Sequence, residues 1–420
     1  MGAIKGSRIF AGVLVLLVGL PALAYAGLVA INWNDEAPSA EAGQLAALYR
    51  DRPAVADADN GLVHLQALAE EVGADYRAAR SAEVVALVDA CSQAVACAEA
   101  LDANPEALGQ WLQAEQGLLD GYRRMLAVTT GWREEVPEDP VAALPSYQPA
   151  MDAQRLHLLD ARRYALAGDP VAVRDLLERD LVFWRGVMAS SDMLITKMVA
   201  VAAAGRNFEF GNLALAGLPP EQVAEAVPPS WRAPLTVAER SLARAFGGEW
   251  RFTVGALREV AAGRQSEGQG RLGERLSRPL LQEQATLNLA AGRMVRLGRL
   301  SELPYAELGG ALDRLSEEPA PRAFRLYNPV GSILQSLAPA SLYSHYIARV
   351  SNLEGHRRAA LLVAGLRGGG IGVDDAAAAV RDSPLRNPYD ERPLEWDAAS
   401  GSVVFNGLEA GERGRHAVLL

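Results

Sequence analysis

Apolar residues recur at three- and four-residue spacing along most of the 420-residue chain, which is the signature of amphipathic helices packed on a common core. In "NPEALGQWLQAEQGLLDGYRRMLAV" the positions Leu108, Leu112, Leu119, Tyr122 and Leu126 follow that spacing, with Asn104 as a cap and Pro105 at the first helical position. Earlier, a first helix is expected to be capped near Ser39, and Asp59 or Asn60 to cap a second starting near Leu62. Four prolines between Gly131 and Pro149 predict a long loop. "MDAQRLHLLDARRYALAGD" and "PVAVRDLLERDLVFWRGVMA" then read as an αα-hairpin broken at Gly168-Asp169-Pro170. Further helices fit 190–216, 234–262, 277–300 and 304–316, with "GRQSEGQGRLGER" as a flexible connector. A long helix after Pro339 is expected to stop at the glycines 368–370. The last fifty residues differ: turn residues around "PLEW" and "SVVF" predict one β-hairpin. No repeat recurs at a fixed period, so a regular solenoid is not supported. The expected fold is mainly α: an N-terminal transmembrane helix, an irregular multi-helix domain and a small C-terminal β-hairpin.

The N-terminus adds a location. "MGAIKGSR" carries Lys5 and Arg8, and Ile9 to Ile31 follow without a charge. About 20 apolar residues in a helix cross a bilayer. Basic residues precede the stretch and Asp35, Glu36 and Glu41 follow it, so the positive-inside rule leaves 1–8 in the cytoplasm and exports the body. Pro21 and the Ala24-Tyr25-Ala26 sequence leave cleavage after Ala26 open as the alternative. The chain divides into a cytoplasmic 1–8, a signal-anchor 9–31, an exported helical domain 32–355 and a C-terminal helix plus hairpin 356–420. For a bacterial cell this is a single-pass inner-membrane protein with a periplasmic body.

Composition and charge narrow the partners. Without Lys5 and Arg8 the balance is 39 basic against 51 acidic residues, −12, which repels phosphate backbones and makes nucleic acid an unsuitable partner. Cys91 and Cys97 would sit on opposite flanks of one continuous helix and could not bridge. A helix starting at Ser92 brings them together in a staple-like arrangement, and an oxidising compartment then closes a disulfide. Two free buried thiols are the alternative.

The segments "HRRAALLVAGLRGGGIGVDDAAAAV" and "NPYDERPLEWDAASGSVVF" resemble the tail of a group of exported, membrane-anchored, mostly helical bacterial proteins. There a helix leads into a D-P-F-x-G-K-P-L-x-Y-like turn and a hairpin, and pseudopilins carry a related turn. Here the turn runs from Asn387 to Leu394, with Glu391 where the pattern has glycine and without its glycine-rich end, so no calcium or assembly role is carried over. The resemblance implies the hairpin and the anchor, and no activity.

Candidate chemistry is sparse. Lys197 stands out as the one lysine beyond Lys5, against 39 arginines. On a continuous helix over 183–202 it falls at the margin of an apolar stripe, where its stem covers that edge and its ammonium reaches solvent or an acid on a neighbouring helix. A lysine is also the cation that loses its proton when buried, which keeps Lys197 as the catalytic candidate. "DADNG" at 57–61 fails the spacing of a calcium loop. The histidines 64, 157, 345, 356 and 416 show no ligand spacing, and none of the common zinc, nucleophile-elbow or phosphate-loop motifs is present. Acid pairs such as Glu134-Glu135 and Glu317-Glu318 read as solvated residues of polar loops or helix ends. No cofactor or metal is indicated. The expected function is a structural or interaction protein of the cell envelope with a protein partner there. An exported hydrolase with a site built from distant residues, or a helical-hairpin scaffold of tetratricopeptide type, are the alternatives.

Overall fold

A computed structural model describes residues 15–137, 142–261, 271–319 and 322–420. Its first element is a wide turn over Val15–Gly19 that runs into helix α1 (Leu20–Ile31). Residues 9–14 of the expected span lie outside the described residues, and among the described residues no helix is long and apolar enough to cross a membrane. Then follow α2 (Ala40–Arg50), α3 (Gly61–Val72), α4 (Ala82–Ala90), α5 (Ala94–Ala103), α6 (Ala107–Ala114) and α7 (Gln116–Val128). The central helices are α8 (Gln148–Leu166), α9 (Pro170–Ser190) and α10 (Leu194–Leu215). Three short helices, α11 (Pro220–Ala226), α12 (Pro229–Arg232) and α13 (Val237–Arg240), lead to α14 (Ala243–Ala261). The rest comprises α15 (Arg271–Ser277), α16 (Glu283–Ser301), α17 (Tyr305–Glu317), α18 (Pro329–Ser336), α19 (Ser344–Gly368) and α20 (Val373–Asp382). Strands β1 (Glu395–Asp397), β2 (Ser402–Asn406) and β3 (Arg415–Leu419) form one antiparallel sheet in that order.

Local chemistry explains most boundaries. Ser39 accepts from the Ala42 N–H and Asn60 from the Leu62 N–H, as their positions predict. Asp169 caps α9 through the Ala172 N–H, and Gly168 takes φ 73°, a backbone favoured by glycine, to turn the hairpin. The helix expected from Asn104 is instead two: Asn104 ends α5, and α6 and α7 break at Glu115. Arg80 binds the Glu115 carboxylate in a buried fork and holds that break. The connector expected at 263–275 lies largely outside the described residues; its end forms α15. Glycines 368–370 do stop α19, with Gly370 at φ 66°.

The core is built on α8, α9, α10 and α19. Trp184, Phe208 and Trp231 are fully buried there. α14 packs on α10, α16 and α2. The sheet covers α19 with Val403, Phe405 and Val418, and a Cβ at Gly355 would stand 2.2 Å from the Phe405 ring, so only glycine admits that ring. α19 passes residue 356 without a break. The hairpin expected from "PLEW" and "SVVF" is present, with Trp396 opposite Val403, but β3 was not foreseen. Its sequence "RHAVL" is too short and mixed to announce a strand. In the turn before the sheet, Glu391 has φ 58°.

Cys91 and Cys97 form a disulfide, with Cα atoms 4.1 Å apart and both residues fully buried. The geometry that allows it differs from expectation. Cys91 is the C-cap of α4, and α5 starts at Ala94 behind Gln93, so Ser92 caps nothing. The two-helix corner brings the sulfurs together where one helix would hold them apart.

Candidate functional site

Two regions concentrate ionisable groups. The first is the kink between α9 and α10. The chain leaves helical geometry at Ser191 and Met193, and no side chain of its own caps the start of α10. Glu134, from the proline-rich loop, does so: its Oε1 accepts the N–H groups of Asp192 and Met193 at 2.5 Å each. Its Oε2 accepts from Thr196 Oγ1 at 2.7 Å and from Trp132 Nε1 at 3.4 Å. A carboxylate suits this place because helix N-termini present unpaired N–H groups and a partial positive charge. Burial nevertheless raises its pKa to about 7, against the pull of Thr196 and the backbone donors. Glu134 was read as a solvated loop acid and is fully buried, while Glu135 beside it is exposed. Charge pattern in one sequence does not reveal a cap made over 58 residues. Asp192 in turn meets Arg52 at 2.7 Å and Arg244 at 2.9 Å. α14 approaches this turn so closely that a Cβ at Gly248 would lie 1.7 Å from the Asp192 carbonyl oxygen.

The kink also relocates Lys197. A break at 191–193 resets the helical register, so Lys197 faces the interior and is 1% exposed rather than at a stripe margin. Among the described residues its ammonium reaches no carboxylate, and it is closed off from solvent. Nζ donates to the carbonyls of Met188 at 2.5 Å, Glu239 at 2.7 Å and Ser241 at 2.8 Å. Three N–H groups meet three acceptors, and the side chain ties the end of α9 to both sides of the bend after α13. Burial lowers its pKa to about 7, with the nearby Glu239 charge opposing and Arg244 adding. The Glu239 carboxylate itself is taken by Arg185, at 2.6 and 2.8 Å, and by Thr236. The arginine–lysine contrast now has a reason. Buried arginines here spread a planar fork over several carbonyls, as Arg185 does on Ser230, Ala233 and Pro234 and Arg240 on Ser301, Glu302 and Leu303. At Lys197 three carbonyls converge on one nitrogen, which suits an ammonium. Lys197 lines none of the larger clefts of the described residues.

The second region is an open cleft between the Cys91–Cys97 corner, α10, α19 and β3. It has two adjoining lobes of about 550 and 410 Å³ that share Ser92 and Glu209. Arginines 162, 206, 349, 367, 413 and 415 line it, against Asp102, Glu209 and Glu409. In an acidic chain this wall is locally positive. Arg367 donates to the Asn212 carbonyl and side chain and to the Leu419 carbonyl. Burial, then the neighbouring Arg162, lowers its pKa to about 10. Arg206 likewise holds the Met151 carbonyl and Gln154. Among the described residues neither has a carboxylate at ion-pair distance.

At the junction, Glu209 Oε1 lies 3.7 Å from His356 Nε2, and the His356 and His416 rings stack at 5.4 Å. Burial raises Glu209 to about 7, so it titrates near neutrality, and lowers His356 to about 3, so its imidazole is uncharged there. The Nε2 atoms of both histidines are buried without a hydrogen-bond partner. This pairing of two histidines sixty positions apart was invisible in the sequence. A usable sign was Glu209 itself, an acid between Phe208 and Phe210 inside an apolar helix. Among the described residues no group of three or more His, Cys, Asp or Glu is arranged to hold a metal ion. No family model, curated protein or solved structure matches the chain.

Proposed function

We propose that the protein is a membrane-tethered binding protein of the bacterial cell envelope, with a cytoplasmic N-terminus and a periplasmic body. The observation that carries this reading is the bare surface of α1. The helix buries none of its residues, and Leu17, Leu20 and Leu23 around it are 71, 55 and 72% exposed. Apolar surface of this kind is ordinarily covered by a partner or a lipid phase. The helix is fixed to the body at its far end: Asn32 donates to the Leu326 carbonyl and accepts from the Asn328 N–H. Trp33, Phe324 and Leu326 are exposed at this exit, where a bilayer interface favours aromatic side chains. The buried disulfide fits an oxidising compartment. The test is a reporter fused after Leu420 that works only outside the cytoplasm, with alkaline extraction of membranes. Activity there and retention in the membrane pellet support the reading. Activity of a cytoplasm-only reporter rejects it, and a mature chain beginning at Gly27 rejects the tether.

The hydrolase is the second reading, favoured by Glu209 and His356 facing one cleft. It is weaker because neutral His356 has no acid at hydrogen-bond distance to orient it, and the 3.7 Å gap to Glu209 is too long for proton transfer without movement. The kinship suggested by the C-terminal turn belongs with the tethered reading and adds no activity to it.

A further inference from the structure

We infer that the larger lobe of the cleft is a binding site for an amphiphilic carboxylate, whose head meets Arg162 and Arg367 and whose apolar body lies on the Cys91–Cys97 corner. The site does not depend on where the protein resides.

Arg162 and Arg367 both line the lobe and lie close enough to oppose each other's charge. Arg162 donates to the Leu213 carbonyl and to Asp102, whose side chain is 71% exposed and therefore strongly screened by water. Among the described residues Arg367 bonds neutral groups alone and keeps two of its five N–H groups outside those bonds. Arg162 and Arg367, side by side and half-buried, have the screened Asp102 as their one carboxylate at ion-pair distance among the described residues, an arrangement that an incoming anion stabilises. The planar guanidinium fork matches a carboxylate. Glu209, at the edge of the lobe, lies at ion-pair distance from neither Arg162 nor Arg367 among the described residues.

The shape of the lobe selects the body of the ligand. The lobe also has apolar lining: Ala94, Val95 and Ala98 of α5, Leu213 of α10 and Ala216 at its end, and Val418 of β3. A lobe of about 550 Å³ lies in the range of small-molecule sites. A free inorganic anion would leave that wall wet, whereas a carboxylate with a hydrocarbon body covers it. The disulfide fixes the α4–α5 corner that carries half the wall, so the cleft is formed before the ligand arrives.

The experiment is calorimetric titration of the full chain in lipid nanodiscs, blanked with empty nanodiscs. The probes are 3-phenylpropionate, the uncharged 3-phenylpropanol and inorganic phosphate. Saturable binding of 3-phenylpropionate is expected, roughly 10- to 100-fold tighter than the alcohol, since charge-assisted hydrogen bonds are lost with the head group. Arg162→Gln should weaken binding about tenfold or more. Val95→Glu is the second variant: Val95 is 44% exposed, so the change leaves the fold intact while placing an acid in the lobe. Equal affinity for acid and alcohol, no saturation by the acid, or phosphate binding as tightly as 3-phenylpropionate would overturn the inference. So would unchanged affinity in a folded Val95→Glu protein.

Discussion

The kink at 191–193 and the cleft at Glu209 both place ionisable groups in apolar surroundings, yet they treat them in opposite ways. At the kink every charge arrives with partners: three carbonyls for Lys197, four donors for Glu134, two arginines for Asp192, one carboxylate and three carbonyls for Arg185. The Ser191 hydroxyl and Arg244 Nε are the unpaired exceptions. In the cleft Arg367 has neutral acceptors alone, and two histidine nitrogens have none. Burying an unpartnered polar group costs stability, so a group buried for the fold is normally satisfied within it. Groups left unsatisfied along an open wall mark the place where something else completes them.

The largest effect should come from breaking the satisfied region. Lys197→Met preserves length and apolar stem and removes all three N–H groups. It strands three buried carbonyls that join α9 to the bend after α13, and the expected loss is roughly 3–5 kcal/mol. Lys197→Arg should also destabilise, because a planar fork does not match three acceptors converging on one nitrogen. Urea melts of both variants measure this. A loss below about 1 kcal/mol for Lys197→Met would mean that the ammonium is not what holds the kink. The region would then lose its contrast with the cleft.

The same contrast explains what was legible in the sequence. Helices with their own caps were readable, because Ser39, Asn60 and Asp169 act within three residues. The disulfide was readable as a pair, although the cap of its second helix is Gln93, one residue after the expected Ser92. The kink was readable only as a boundary: separate helices ending at 189 and spanning 190–216 are expected, but treating 183–202 as one continuous helix misplaces Lys197, and the cap, Glu134, comes from a distant loop. The cleft was still less so, since Arg162, Glu209, Arg367 and His416 come from three helices and a strand that the hairpin pattern did not include. One departure in sequence did carry structural meaning. Glu391 stands where the pattern it resembles has glycine, and its φ of 58° is a left-handed conformation that suits glycine. Glu391→Gly is therefore expected to stabilise by about 1 kcal/mol, offset in part by the added freedom of the unfolded chain. A destabilised Glu391→Gly in the same melts would show that the side chain, not the backbone, governs that turn.

The smallest effect should come from the cleft, and its sign discriminates. Burial raises the Glu209 pKa from 4.5 to about 7. A raised folded-state pKa means that the associated stability is fully present below about pH 4.5 and is lost as pH rises through about 7. Glu209→Gln cannot titrate, so parent and variant should be close at pH 5 and the variant should gain on the parent toward pH 8. The Glu209 side chain is 38% exposed to the cleft, so solvent screening should keep that gain within about 0.5 kcal/mol. Thermal melts of both proteins at pH 5 and pH 8 suffice. If the parent instead gained on the variant with rising pH, the charged carboxylate would be the stabilising form. Arg206 would then have an internal counter-ion, and the junction of the two lobes would be satisfied from within, as the kink is.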